Sequence, residues 1–216
     1  MFIGHLAVAL GVKKAAPRMP LGLLVGGAFG LDLLWPIFLA AGVESVRIDP
    51  GNTAFTPLAF DSYPWSHSLL LAVFWSLVAG ALVGLSWKNV TAGFLMGMVV
   101  ASHWLLDWVT HRPDLPLWPG GPEVGLGLWN SIPATILVEG GLFVAAIELY
   151  RRAYRPIDSI GRWTFRALIA LTAAIWISGP WSAPPPAPGA VAIVGLAMWL
   201  FPLWGRWIDA HRTATT

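Results

Sequence analysis

Cysteine is absent from the 216-residue chain. That excludes a disulfide framework, a thiolate metal site and a cysteine nucleophile. Charge is scarce as well: 11% of residues are Asp, Glu, Lys or Arg, where a soluble domain carries roughly 25%. A surface that poor in charge is not built to face water. With a formal net charge of only +2, it offers no basic footprint for nucleic acid, and none is expected as a partner. The opening MFIGHLAVALGVKK places its basic residues after the apolar stretch. That is the reverse of a signal peptide's order, and no small-residue cleavage site stands out.

What the chain has instead is hydrocarbon. Hydrophobic residues make up 56% of it, and mean hydropathy is +0.67. Six long apolar segments lie near Leu21–Ala41, Ser68–Leu85, Thr91–Val109, Ile132–Tyr150, Phe165–Trp181 and Ala190–Leu203. The first four approach the roughly 20 residues that cross a bilayer; the last two are shorter. Residues 2–12 are too short to cross and read as a half-depth or interfacial helix. The expected fold is therefore all-α: a polytopic transmembrane bundle of about six spans plus that short N-terminal helix, with lipid as its solvent. No internal repeat divides residues 1–216, which read as one domain with its motifs in 1–131 and plain spans in 132–216. Several of the 14 tryptophans, Trp65, Trp87, Trp129, Trp181 and Trp204, sit near expected span ends, as an interfacial belt would.

Loop charge orients these spans. Arg47 and Arg112 fall on one side, and the other 11 Lys and Arg fall opposite, from Lys13, Lys14 and Arg18 to Arg206 and Arg212. The positive-inside rule then puts both termini in the cytoplasm. Helical rise gives depth. Counting from Thr91, His103 lies about 18 Å in, Asp107 about 24 Å and His111 about 30 Å, while Asp32 lies about 17 Å past Leu21. His67 opens the second span from the external side. A site built from these groups would face outward.

His103, Asp107 and His111 are spaced four apart, and such residues share one helix face. A carboxylate in a span costs about 2.5–3.5 kcal/mol, so it needs a partner or a purpose. Asp32 has no basic neighbour within a turn; its plain alternative is a protonated carboxyl bonded inside the bundle. His67 alone could simply cap the second span beside Ser66 and Ser68. His111, at a span end, is equally readable as an interfacial side chain, and His5 by itself reads as a packed one. Glu139 lies about 10 Å from the external end of the fourth span, near enough to join the group as base or ligand. No cation at this depth matches three acids; a divalent metal would. His67, His103, Asp32 and Asp107 make an N2O2 set that suits zinc, with manganese and iron compatible. The following loop, RPDLPLWPGGPEVGLGLWNS, is dense in Pro and Gly and reads as a lid or as a connector. Arg112 at its start suits an anionic substrate.

GHLAVALG from Gly4, Asp32 with its trailing Pro36, SHSLL from Ser66 and SHWLLDWVTHRPDLPLWP from Ser102 together resemble the LexA-binding, inner-membrane-associated hydrolase family, the YdjM-like membrane-bound metal-dependent hydrolases. The resemblance covers about the first 130 residues. It implies a bacterial-type inner membrane and a His and Asp order similar to that of zinc-dependent phospholipases C and single-strand nucleases. It also implies Asp32, His67, His103 and Asp107 around one metal, with His5 and a bridging Asp107 at a second. The chain departs from the family where members carry Pro-Asp-x-Asp-His, since Leu31, Asp32, Leu33, Leu34 and Trp35 stand there. It departs again where Ser62 and Tyr63 replace His-Arg.

The expectation is a membrane-embedded hydrolase of a phosphoester or lipid ester, with metal-activated water, Asp107 or Glu139 as proton acceptor and Arg112 steadying an anion. The alternatives are a transporter that uses buried Asp and His to move protons or ions, and a scaffold with a structural metal.

Overall fold

Inside lipid only a helix or a closed barrel satisfies the backbone, and the apolar runs of this chain form helices. The computed structural model describes residues 1–215. Helix α1 (Phe2–Ala15) leads to α2 (Leu21–Ala28) and α3 (Gly30–Ala40). A hairpin of β1 (Ser45–Ile48) and β2 (Leu58–Ser62) follows, then α4 (Pro64–His67), α5 (Leu69–Ser86) and α6 (Val90–Thr110). Helix α7 (Ile132–Thr135) runs through a π-helical turn at Ile136–Gly140 into α8 (Gly141–Ala153). The chain closes with α9 (Ser159–Ser178), α10 (Pro188–Ala197) and α11 (Leu200–Ala210).

Five stretches are long and apolar enough to cross a membrane: Leu69–Ser86, Val90–Thr110, Ile132–Ala153, Ser159–Trp181 and Pro188–Ala210. A sixth forms if α2 and α3 count together, bent by 56° at their junction. The polytopic helical bundle is as expected. The last two spans are longer than hydropathy alone implied, because each continues as helix into more polar sequence. Outward-facing side chains are hydrocarbon: Leu77, Leu85 and Val90 are all more than 60% exposed. An apolar exterior belongs in lipid, and this is a multi-pass membrane protein.

Two local features shape the interior. Glycines let backbones touch, as small residues do in membrane helix packing. A Cβ on Gly93 of α6 would come within 2.6 Å of the Gly80 carbonyl oxygen of α5, and one on Gly22 of α2 would strike the Pro202 carbonyl of α11. Helix α1 is the second feature. Up to Val12 it is apolar on every side but for His5, and such helices are buried. Ile3, His5, Leu6, Ala9 and Leu10 are each at most 1% exposed, and the helix packs against α2, α6 and α8. The interfacial reading of residues 2–12 is thereby corrected: α1 is the centre of the bundle. The tryptophan belt is also thinner than expected. Trp204 turns inward, its indole N–H donating to Thr164 O at 3.1 Å.

Candidate metal centre

Five of the residues singled out above meet at one point, each delivered by a different local device. Helix α6 starts on the Asn89 side chain, which accepts from Ala92 N–H at 3.0 Å. Its regular turns then carry His103 and Asp107 on one face. His67 ends the short α4, whose Pro64 fits the first helical turn. Ser68 is extended there and caps α5 with its hydroxyl, so the cap is Ser68 and His67 is freed to turn inward. Asp32 sits in the first turn of α3, where the helix dipole favours an acid. Pro36, four residues on, has no N–H to give to the Asp32 carbonyl. His5 comes from the buried α1.

The geometry is tight. His103 Nε2 is 3.0 Å from Asp107 Oδ2 and 3.7 Å from Asp32 Oδ1. His67 Nε2 is 3.5 Å from Asp32 Oδ1 and 3.7 Å from Asp107 Oδ2. His5 Nε2 lies 3.2 Å from Asp107 Oδ1 and 4.0 Å from Asp32 Oδ2, with its ring stacked on that of His103 at 3.6 Å. Two overlapping donor groups result, His5–His103–Asp107 and Asp32–His67–His103. The donor set fits a divalent cation. The Nε2 atoms of His5 and His103 are buried and hydrogen-bonded to nothing among the described residues, while the Nδ1 of His103 faces Ala28 O at 2.8 Å. A carbonyl only accepts, so that nitrogen carries the hydrogen and Nε2 keeps its lone pair, the arrangement metal-binding histidines adopt. The nitrogen of Met1 also contacts Asp107.

Beside the cluster lies a cavity of about 140 Å³, lined by Met1, Phe2, Asp32, Trp35, Phe60, His67, Asp107, His111 and Trp129. The Pro/Gly-rich loop gives Trp129 to its wall and is tied down: Leu126 N–H donates to Trp108 O at 2.8 Å and Gly127 N–H to His111 O at 2.7 Å. A Cβ on Gly125 would strike the His111 and Arg112 carbonyls.

Three candidates fall outside the cluster. His111 leaves the helical stripe because α6 ends at Thr110 and the next residues are extended ahead of Pro113, which disfavours helix before it. Its Nδ1 pairs with Asp114 Oδ1 at 2.9 Å and with the Tyr63 hydroxyl at 3.2 Å, so it borders the cavity without joining the donor groups. Burial and Asp114 hold the Tyr63 phenol well above its usual range. Glu139 is fully buried on the π-turn, and its Oε1 accepts from Trp129 N–H at 3.0 Å; it stands behind the cavity wall. Arg112 points away, its Nη1 donating to Asn52 Oδ1 at 2.6 Å.

Two residues were missed by sequence reasoning. Glu44, only 3% exposed, takes Ser66 N–H at 2.8 Å and the Ser66 hydroxyl at 2.7 Å, and that hydroxyl also meets His67 Nδ1 at 2.7 Å. Burial pushes the Glu44 carboxyl up, opposed by the Ser66 hydroxyl and amide.

The description "YdjM inner membrane protein" matches residues 64–183, more than half of the chain. The chain belongs to the YdjM inner membrane protein family. The matched stretch holds His67, His103, Asp107, His111 and Glu139 and runs through α9, well past the 130 residues on which the resemblance first rested. His5 and Asp32 lie before it, and geometry alone ties them to the family's segment. No curated protein and no solved structure matches the chain.

Proposed function

We propose that this YdjM-family protein is a metal-dependent hydrolase of membrane-proximal phosphoesters or lipid esters. The observation that carries the reading is the convergence of three imidazole nitrogens and two carboxylates inside the bundle, with His67, Asp32 and Asp107 opening onto a cavity. His67, His103, Asp32 and Asp107 would hold a divalent cation, zinc by the chemistry of the set, with His5 completing the group. Such an ion supplies a Lewis acid and lowers the pKa of water towards about 7.

The chain's own residues supply the rest. Asp107 lines the cavity and also touches His5, which makes it the carboxylate placed to take a proton and pass it on. Trp35, Phe60 and Trp129 narrow the cavity and exclude bulk water. Arg112, half-exposed outside the cavity, draws an anion toward the mouth without touching it. By the positive-inside rule the site opens in the external half of the bilayer, both termini being cytoplasmic.

The test is hydrolysis of phosphatidic acid, phospholipid and acyl-ester substrates in nanodiscs with added Zn²⁺ or Mn²⁺, wild type beside His103→Ala. Turnover of one class, lost in the variant, supports the reading; no turnover of any class with either metal refutes it. The break between α2 and α3, 56° and three residues before Asp32, favours an ion or proton transporter as the second reading, since such breaks form transport sites. Proton flux into liposomes that stops on Asp32→Asn would establish that alternative.

A further inference from the structure

We propose that Glu44, acting through the Ser66 hydroxyl, is a positioning residue that fixes the tautomer of His67, with Nδ1 protonated and the Nε2 lone pair turned to the cluster. Ser66 Oγ lies 2.7 Å from Glu44 Oε2 and 2.7 Å from His67 Nδ1, and it has one hydrogen to give. The other acceptor within reach, the Tyr63 carbonyl, is at 3.4 Å. Ser66 N–H takes Glu44 Oε1 at 2.8 Å, so both carboxylate oxygens accept from the same residue.

Ionised, as its two hydrogen bonds from Ser66 favour, Glu44 only accepts. The serine hydrogen therefore goes to Glu44, and the oxygen lone pair it leaves must receive a hydrogen from His67 Nδ1. Nε2 is then unprotonated where it faces Asp32 Oδ1 at 3.5 Å and Asp107 Oδ2 at 3.7 Å. His103 reaches the same tautomer by a different device, the Ala28 carbonyl. Glu44 stands 22 residues before Ser66, in the segment between α3 and β1, and all three groups of the chain are buried. An amide would fail in this position, because glutamine has one acceptor oxygen for two donors.

The consequence for cation binding rests on the function proposed above; the tautomer does not. The experiment is therefore in two parts, on full-length protein in detergent. Two-bond proton–nitrogen correlations on ¹⁵N-histidine protein report which ring nitrogen carries hydrogen, and the chain has only five histidines. Competition against a zinc-chelating dye reports affinity. Wild type and Ser66→Thr, which keeps the hydroxyl, should show His67 protonated on Nδ1. Glu44→Gln and Ser66→Ala should show mixed tautomers and bind Zn²⁺ about 10–100-fold more weakly. The His103 signal, unchanged throughout, certifies the fold. An Nδ1-protonated His67 in both weakened variants, or a mixed tautomer in wild type, overturns the proposal. A Glu44-dependent tautomer in a protein that binds no Zn²⁺ upholds the positioning role and overturns the cation site.

Discussion

Replacing His103 by alanine separates the cluster from everything around it, because His103 belongs to both donor groups and His111 to neither. The cost without metal comes from the Ala28 carbonyl, which loses an imidazole partner at 2.8 Å. A buried acceptor left unsatisfied costs about 1–3 kcal/mol. The larger difference arises when metal is present. An ion that binds only the folded state stabilises it by about 2.7 kcal/mol at 100 times its dissociation constant. For a chain of this size that is a rise of about 5–11 °C in melting temperature. Wild type and His111→Ala should both show the rise on adding Zn²⁺ in tryptophan-fluorescence melts. His103→Ala should melt lower and show no rise. Elemental analysis should find metal in the first two proteins and none in the third. If His111→Ala loses metal and stabilisation as completely as His103→Ala, the division of these histidines by geometry is refuted.

Three other perturbations test the frame. Gly93→Leu puts a side chain against the Gly80 carbonyl, which cannot move aside; it should destabilise the α5–α6 pair by about 1–3 kcal/mol, and an unchanged melt would show that the helices do not cross there. Lys13→Ala removes the buried ammonium that meets Asp209 at 3.1 Å and Met19 O at 2.8 Å, leaving Asp209 with the Leu21 amide. The loss should be about 3 kcal/mol, largely recovered in Lys13→Met with Asp209→Leu, and a double variant no better than the single one would speak against the pair. At the start of α9, the Gly161 amide first and His211 second hold the Asp158 carboxyl below its usual range. A depressed carboxyl stabilises above the unfolded pKa of about 3.9 and stops doing so as pH falls through its lower folded value. Protection of the Gly161 amide, taken relative to its intrinsic exchange rate, should fall only in that acid window, and Asp158→Asn should abolish the fall.

The parts of this molecule that were legible are those whose order is local. Long apolar runs named the spans, and four-residue spacing put His103 and Asp107 on one face. Depth counted along two separate helices brought Asp32 to the same level. Some departures from the expected fold carry a local signal. Pro113 marks the end of α6 just past His111, and Gly26, Gly27 and Gly30 surround the break between α2 and α3. Trp204 and Trp129, read as belt residues, donate inward to Thr164 and Glu139, because the same amphipathic ring serves an interface or a buried acceptor.

Other features had no local signal. His5 lies on a helix that is apolar on every side, so no stripe orients it; only packing against α2, α6 and α8 turns its Nε2 to within 3.2 Å of Asp107. Glu44 reaches Ser66 across 22 residues and the β1–β2 hairpin. A periodic pattern records which face of an element is buried, and it is silent about which buried group meets which. In lipid that silence is deeper, because apolar residues cover both the inner and the outer faces. The few ionisable side chains then carry nearly all the information about the interior. Here the cost of burying them alone is what makes their meeting interpretable: Asp32 and Asp107 are held among three imidazoles beside a cavity, an arrangement that hydrophobic packing alone gives no reason to assemble.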